Sequence, residues 1–237
     1  MKKLGITVVY LVLEDDGDLL DLHLRQIEKH TRSPYTIYGT ANRLLPQFRE
    51  RLVQHPQVRI SECPTTDLRG SAEHAYYLEH LIRLAVEDGA SHIVTLHVDS
   101  FPIRTAWEEE LAAKLTVPCA FVSIERINTA CLFFHRDFYL QYYPTFYLSE
   151  DECLTPAYQQ YLKKFNPELH SVIGYGFRAY VKGLSWDYLR ESTDVRGQGR
   201  IYNDMIFHLR VAVREGALHF RGRSILAKSG YVRLLRK

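Results

Sequence analysis

The stretch SHIVTLHVDSFPI, Ser91 to Ile103, decides the fold. An apolar run from Ile93 to Leu96 stops abruptly at His97, Val98, Asp99 and Ser100, and a Phe-Pro pair follows. A short apolar run of this kind reads as a buried strand. Strand side chains alternate between faces, so His97 and Asp99 are expected to point the same way from the strand's end. Two metal-ligating residue types would then stand side by side.

The sequence upstream gives this strand its setting. Ala75, Leu78, Ile82 and Ala85 form one face of a helix. It is expected to run from a cap at Ser71 through Val86 and to end at Gly89. Before it, CPTTDLRGS reads as a loop, QVRIS as a strand and NRLLPQFRERLVQH as a helix. YTIYG reads as another strand. Leu19, Leu20, Leu22, Leu24 and Ile27 recur at roughly helical spacing until Pro34 blocks continuation. The opening ITVVYLVL is a continuous apolar run, as expected of a strand buried on both faces. From Ile6 to Val98 the order is therefore β-α-β-α-β-α-β. The expected fold class is α/β, with a mostly parallel central sheet flanked by helices. Ligands of such sheets bind beyond the carboxyl ends of the strands, where His97 and Asp99 fall.

Downstream the pattern is less regular. WEEELAAKL reads as a short helix, and Ala120–Ile124 and Thr129–His135 as strands. Arg136–Tyr143, LTPAYQQYLKKF and VIGYGFRAYVKG read as helices, and LSWDYL as strand-like. No Pro/Gly/Ser-rich linker interrupts the chain, so residues 1–237 are expected to form a single domain.

Composition narrows the function classes. A formal net charge of +2 over 237 residues does not call for nucleic acid as a partner. Arg221, Arg223, Lys228, Arg233, Arg236 and Lys237 make the C-terminus locally basic. They read as a solvated tail or as a patch suited to peripheral membrane association. Cys63, Cys119, Cys131 and Cys153 form no CxxC pair, which argues against a structural zinc. The basic start MKK leads into a strand-like run ended by acids, unlike a secretory leader. The apolar runs are too short to span a membrane. The expected location is the cytoplasm, with the option of the membrane's inner face. GxGxxG, GxxxxGK[ST] and GxSxG are all absent, against dinucleotide-binding, phosphate-loop and α/β-hydrolase chemistry.

At LHVDSFP the sequence resembles the GT-A-fold glycosyltransferases, in particular the family-2-like nucleotide-sugar transferases. Their mark is an Asp-x-Asp at the end of the fourth strand. Here Asp99 matches the second aspartate, and His97 stands in place of the first. The preceding RGSAEHAYYLEHLIRLAVEDGASHIV resembles that family's loop, helix and strand entry. The opening, from TVVYLVLEDDGD to TANRL, resembles its first β-α-β unit. The resemblance covers about 130 residues and is patchy beyond them. It divides the chain into a nucleotide-binding half, 1–104, and an acceptor-side half, 105–237.

The resemblance implies transfer of a sugar from a UDP- or GDP-linked donor to a saccharide or lipid-linked acceptor of a cell-surface glycan. A divalent metal, Mn or Mg, would stabilise the diphosphate leaving group. An imidazole among the ligands favours manganese over magnesium. Asp99 and His97 are then metal ligands, although His97 could instead contact the ribose or be an ordinary strand-end histidine. A third ligand from near the C-terminus is expected at His208, in preference to His219. Asp204 lies four residues before His208 and would share its face on a helix. Nucleotide contacts are expected from Glu14, Asn42, Arg69 and Ser71. Asn42 could read a uracil edge or cap a helix. Arg69 and Ser71 precede a helix N-terminus suited to a diphosphate.

The departure from the family concerns the catalytic base. Anchoring on Gly183 places Arg178 on the family's arginine. The acidic positions then fall on Ser171, Val172 and Gly174, none of which accepts a proton. Asp151 and His170 are the substitutes, with Glu150, Glu152 and Asp187 nearby. The alternative is a catalytically silent GT-A-like domain that binds nucleotide or glycan. The aromatic segment DFYLQYYPTFY and Trp186 read either as a sugar-stacking surface or as core.

Overall fold

The computed structural model describes residues 3–10, 17–42, 44–166, 172–195 and 199–209. Strand β1 (Leu4–Val9) leads into helix α1 (Gly17–His30), β2 (Tyr35–Thr40), α2 (Pro46–Gln54) and β3 (Val58–Ile60). Then come α3 (Ser71–Glu87), β4 (His92–Leu96), the short β5 (Ser100–Pro102) and α4 (Trp107–Lys114). β6 (Cys119–Ile124) and β7 (Cys131–His135) form a hairpin, followed by α5 (Arg136–Tyr142), α6 (Glu150–Cys153), α7 (Pro156–Phe165) and α8 (Ile173–Val181). The described chain ends with β8 (Ser185–Leu189), β9 (Glu191–Asp194), β10 (Gly199–Tyr202) and β11 (Ile206–Leu209).

The central sheet has seven strands in the order β3-β2-β1-β4-β7-β6-β8. β3, β2, β1 and β4 run parallel, as do β6 and β8, while β7 is antiparallel to both its neighbours. The α/β class and the mostly parallel sheet are as expected. Helices cover both faces, which is why the strands read as continuous apolar runs. On one face Val8, Val94, Val122 and Phe133 pack with Leu20 and Leu24 of α1, Leu52 of α2 and Trp107 of α4. On the other, Ile93, Phe121 and Phe134 pack with Leu78, Ile82 and Ala85 of α3 and Tyr175 of α8. Each such fully buried apolar side chain contributes about 1.5–3 kcal/mol.

Two features of α3 aim the chain at the site. Its C-terminus closes in a Schellman arrangement: Ala90 N–H donates to Ala85 O and Gly89 N–H to Val86 O. Gly89 sits at φ 79, where a side chain would be strained. That turn feeds the chain directly into β4. At the other end the helix begins at Ser71 but is not capped by it. Gly70 is the cap residue, at φ 62, and no side chain bonds there. The expected Ser71 cap is thus corrected, because the hydroxyl lies one residue inside the first turn.

A second sheet, β5-β11-β10-β9, is antiparallel throughout and was not expected. Its strands are three and four residues long, too short to show a period. Asp204 and His208, which would share a face on a helix, lie on a hairpin instead. Asn203 and Asp204 take φ 46 and 53, and Met205 N–H donates to Tyr202 O across the turn. Left-handed angles at both central residues are those of a type I′ turn, within a three-residue connection, Asn203 to Met205, since Tyr202 pairs with Ile206. Asp204 therefore sits at an exposed tip, and His208 on a strand.

Candidate metal centre

β1 has β2 on one side and β4 on the other, so the chain reverses its direction of winding between β1 and β4. The crevice beyond their carboxyl ends is the usual ligand position in an open α/β sheet. β4 ends at Leu96, and His97 to Asp99 form a tight turn instead of a continued strand. Ser100 N–H donates to His97 O at 3.0 Å, and His97 N–H donates to Ser100 Oγ at 2.8 Å. Ser100 Oγ in turn donates to Ala130 O at 2.6 Å, tying the turn to the start of β7. The pleat expected to align His97 with Asp99 is therefore absent, and the turn aligns them instead.

The second sheet supplies the third group. β11 pairs with β5 so that His208 lies opposite Ser100, and Leu209 N–H donates to Asp99 O at 3.0 Å. Asp99 Oδ1 is 3.8 Å from His97 Nδ1 and 3.9 Å from His208 Nε2. The two imidazoles stand 5.7 Å apart, centre to centre, at 73°. The three ligand atoms all lie within 4.8 Å of one another. Asp99 is almost fully buried, the histidines partly so. Among the described residues no other trio of His, Cys, Asp or Glu is gathered this way.

The donor set fits a divalent transition metal. Imidazole nitrogens and carboxylate oxygens bind such ions at about 2.0–2.2 Å. Two ligands of one ion then lie roughly 3–3.5 Å apart, so side-chain rotations of an ångström or less would close the Asp99–histidine separations. Two imidazoles and one carboxylate suit manganese, iron or zinc better than magnesium, which prefers oxygen. Three protein ligands would leave coordination positions open for further oxygens.

The surroundings hold the cluster in place. His97 Nε2 lies 2.7 Å from Thr129 Oγ1. His74, in the first turn of α3, meets the His97 ring edge-on at 4.8 Å. The N-terminus of α3 therefore adjoins the cluster. His23 of α1 is fully buried beside it and packs edge-on against Tyr10 at 5.9 Å. Burial pushes its pKa down to about 4, against an opposing pull from Asp99 and the backbone of Ser100 and Val98. Those backbone groups fall short of hydrogen-bonding geometry, so both ring nitrogens lack a bonded partner among the described residues. His23 is neutral at neutral pH.

The structure thus brings together His97, Asp99 and His208. The other candidate residues are placed differently. Glu14, His170, His219 and the basic C-terminal segment lie outside the described residues. Asn42 has its amide engaged: Thr40 Oγ1 donates to Oδ1, and Nδ2 donates to Cys63 O at 3.0 Å. It ties the end of β2 to the loop after β3, and it caps no helix, since Leu45 is the cap residue of α2. Arg69 is exposed and donates to the carbonyls of Thr66 and Leu68 in its own loop. Ser71 is exposed one turn before His74, on the side of α3 that approaches the cluster.

Asp151 is exposed on α6, and no contact joins it to the cluster among the described residues. Its neighbour Glu152 closes a capping box with Ser149 and receives Arg178 at 2.8 Å. Burial alone would raise the Asp187 carboxyl, but the Lys114 ammonium at 2.8 Å and the Tyr188 N–H outweigh it and hold it below its ordinary value. The aromatic segment is divided: Phe138 and Phe146 are buried around Tyr175, Tyr139 and Tyr142 pack half-buried beside them, and Tyr143 and Tyr147 are exposed, while Trp186 lies flat on Phe121 at 5.7 Å. Thr129, His74 and His23 carry no spacing that ties them to His97. Only His74, a polar residue in the first turn after a loop, could have been singled out.

No family model and no curated protein matches the sequence. Among solved structures, the mannosyltransferase PcManGT from Pyrobaculum calidifontis in complex with GDP-Man and Mn2+ matches at 14% identity and a TM-score of 0.45. The match covers 58% of this chain and 46% of that one, so this chain spans just under half of that enzyme. Mouse xyloside xylosyltransferase 1, in its apo form, matches at 11% identity and a TM-score of 0.45, over 76% of this chain and 81% of that one.

Proposed function

We propose that the protein is a metal-dependent glycosyltransferase. It would move a sugar from a UDP- or GDP-linked donor to a saccharide or lipid-linked acceptor. The carrying observation is the gathering of His97, Asp99 and His208 at the carboxyl end of β4, beside β1. In that position Asp99 contributes the negative charge, and the two imidazoles contribute neutral donors. A bound divalent ion would stabilise the charge that develops on the diphosphate leaving group. The first turn of α3 supplies the backbone N–H groups of Ser71 to Glu73 and a positive dipole end next to the same place, while the His74 N–H bonds to Gly70 O. Four free cysteines fit a reducing compartment, and we place the reaction in the cytoplasm. No helix among the described residues is long and apolar enough to cross a membrane.

The experiment is a thermal-shift panel of UDP- and GDP-linked sugars, each with and without Mn2+. A rise in melting temperature that needs both nucleotide and metal is expected. A panel in which no nucleotide stabilises the protein sinks the reading.

A specific observation favours the second reading, a domain that binds donor without turning it over. Of the acidic positions of the related pattern, the two among the described residues, Val172 and Gly174, lack room for an acid. Val172 is buried at the start of α8, and a Cβ on Gly174 would run into the Thr145 carbonyl oxygen. Gly174→Ala is accordingly expected to destabilise the fold by about 1–3 kcal/mol, through overpacking against backbone that cannot yield. Urea denaturation of the variant checks this, and an unchanged midpoint would refute the steric argument. Mn2+-dependent hydrolysis of the stabilising nucleotide sugar separates an active enzyme from a silent domain.

A further inference from the structure

We propose that Thr129 is a positioning residue that decides which ring nitrogen His97 presents to the metal. The inference rests on the metal reading above. Thr129 is buried in the connection between β6 and β7. Its Oγ1 lies 2.7 Å from His97 Nε2, while Nδ1 of the same ring faces Asp99 Oδ1 at 3.8 Å. A neutral imidazole carries one N–H and one lone pair. With Nε2–H donating to the Thr129 hydroxyl oxygen, the lone pair is left on Nδ1, on the side of Asp99 and His208. Turning the ring over would remove Nε2 from this acceptor and Nδ1 from the cluster.

The acceptor is itself fixed. Thr129 O accepts from Thr95 Oγ1 at 2.7 Å, and Thr95 Oγ1 accepts from Leu132 N–H at 3.2 Å. Thr95 is a fully buried residue of β4, two positions before His97. The strand that delivers the ligand therefore also anchors the loop that orients it. His74 closes one flank of the ring at 4.8 Å, and the His97 N–H is held by Ser100 Oγ. Outer-shell partners of a ligating histidine typically change metal affinity 10–100-fold when removed.

The test uses the full chain and metal alone. Thr129→Val keeps the shape and removes the acceptor. Its Mn2+ dissociation constant is expected to rise about 10–100-fold, with Thr129→Ser restoring affinity close to wild type. A purely structural role would instead lower the metal-free melting temperature and leave the affinity of the folded fraction alone. Ring 15N shifts of the Zn2+-loaded wild type need no variant: His97 should coordinate through Nδ1, with Nε2 protonated. Coordination through Nε2, or wild-type Mn2+ affinity in folded Thr129→Val, overturns the proposal and leaves the metal reading intact. A wild-type protein that binds neither Mn2+ nor Zn2+ overturns both.

Discussion

Asp99→Ala is expected to abolish measurable Mn2+ binding, and with it any Mn2+-dependent stabilisation by nucleotide sugars. Asp99 is the hub of the cluster: its Oδ1 lies within 4 Å of a nitrogen on each imidazole. It is also the only negative charge of the three. Without it two neutral nitrogens remain, and the loss should exceed the roughly 100-fold ceiling usual for an outer-shell partner. The fold should survive, because the Asp99 hydrogen bond that joins the two sheets, Leu209 N–H to Asp99 O, is made by backbone. His208→Ala should weaken binding in the same direction, since it removes the one ligand that the second sheet contributes. Mn2+ titration followed by electron paramagnetic resonance measures all three proteins. Equal affinity in wild type and Asp99→Ala would remove the cluster from metal binding.

The second large effect concerns stability and pH. Glu79 of α3 is mostly buried, and burial raises its carboxyl to about 7, against the Phe146 N–H it accepts at 2.7 Å and the Arg83 guanidinium. Tyr139 of α5 and Tyr175 of α8 lie close enough for its charge to raise their own pKa values. Below the ordinary carboxylate range both folded and unfolded states hold the proton. As pH rises, the unfolded chain releases it first, so stability falls through the window from about 4.5 to about 7. Over those roughly 2.5 units, at about 1.4 kcal/mol each, the full loss is about 3.5 kcal/mol. Glu79→Gln keeps an acceptor for Phe146 N–H and removes the titration. Its stability relative to wild type should therefore grow by about 2.5 kcal/mol between pH 5 and pH 8. Buried His23 acts in the opposite sense, since the unfolded chain takes up its proton first as pH falls from 6.5 towards about 4. It is common to both proteins and cancels in the comparison. A difference between Glu79→Gln and wild type that does not vary with pH would show that Glu79 does not titrate in this window.

Much of the site was within reach of the sequence, though for partly mistaken reasons. His97 and Asp99 were expected side by side from strand alternation, and a turn closed by Ser100 puts them there instead. His208 is expected from the resemblance, as a third ligand from near the C-terminus, and Asp204 would share its face only on a helix. Yet Asn203-Asp204-Met205 between RIY and IFHL is a hairpin connection, and the hairpin is what carries His208 to Asp99. Asn42 and Arg69 are polar residues at the expected positions, but Asn42 ties β2 to the loop after β3 and Arg69 bonds within its own loop.

By itself the sequence determined the alternating α/β order, the strands buried on both faces and the position of His97 and Asp99 beyond the fourth strand. Apolar periodicity, Pro34 and Gly89 act locally and can be read locally. Only the tertiary structure decided that His208 completes the cluster, that Thr129 and His74 hold His97, and that Gly174 has no room for an acid. Each of these depends on contacts between segments far apart in the chain. Pairing of β5 with β11 and the approach of the β6–β7 loop to β4 are set by packing, and no local spacing encodes them.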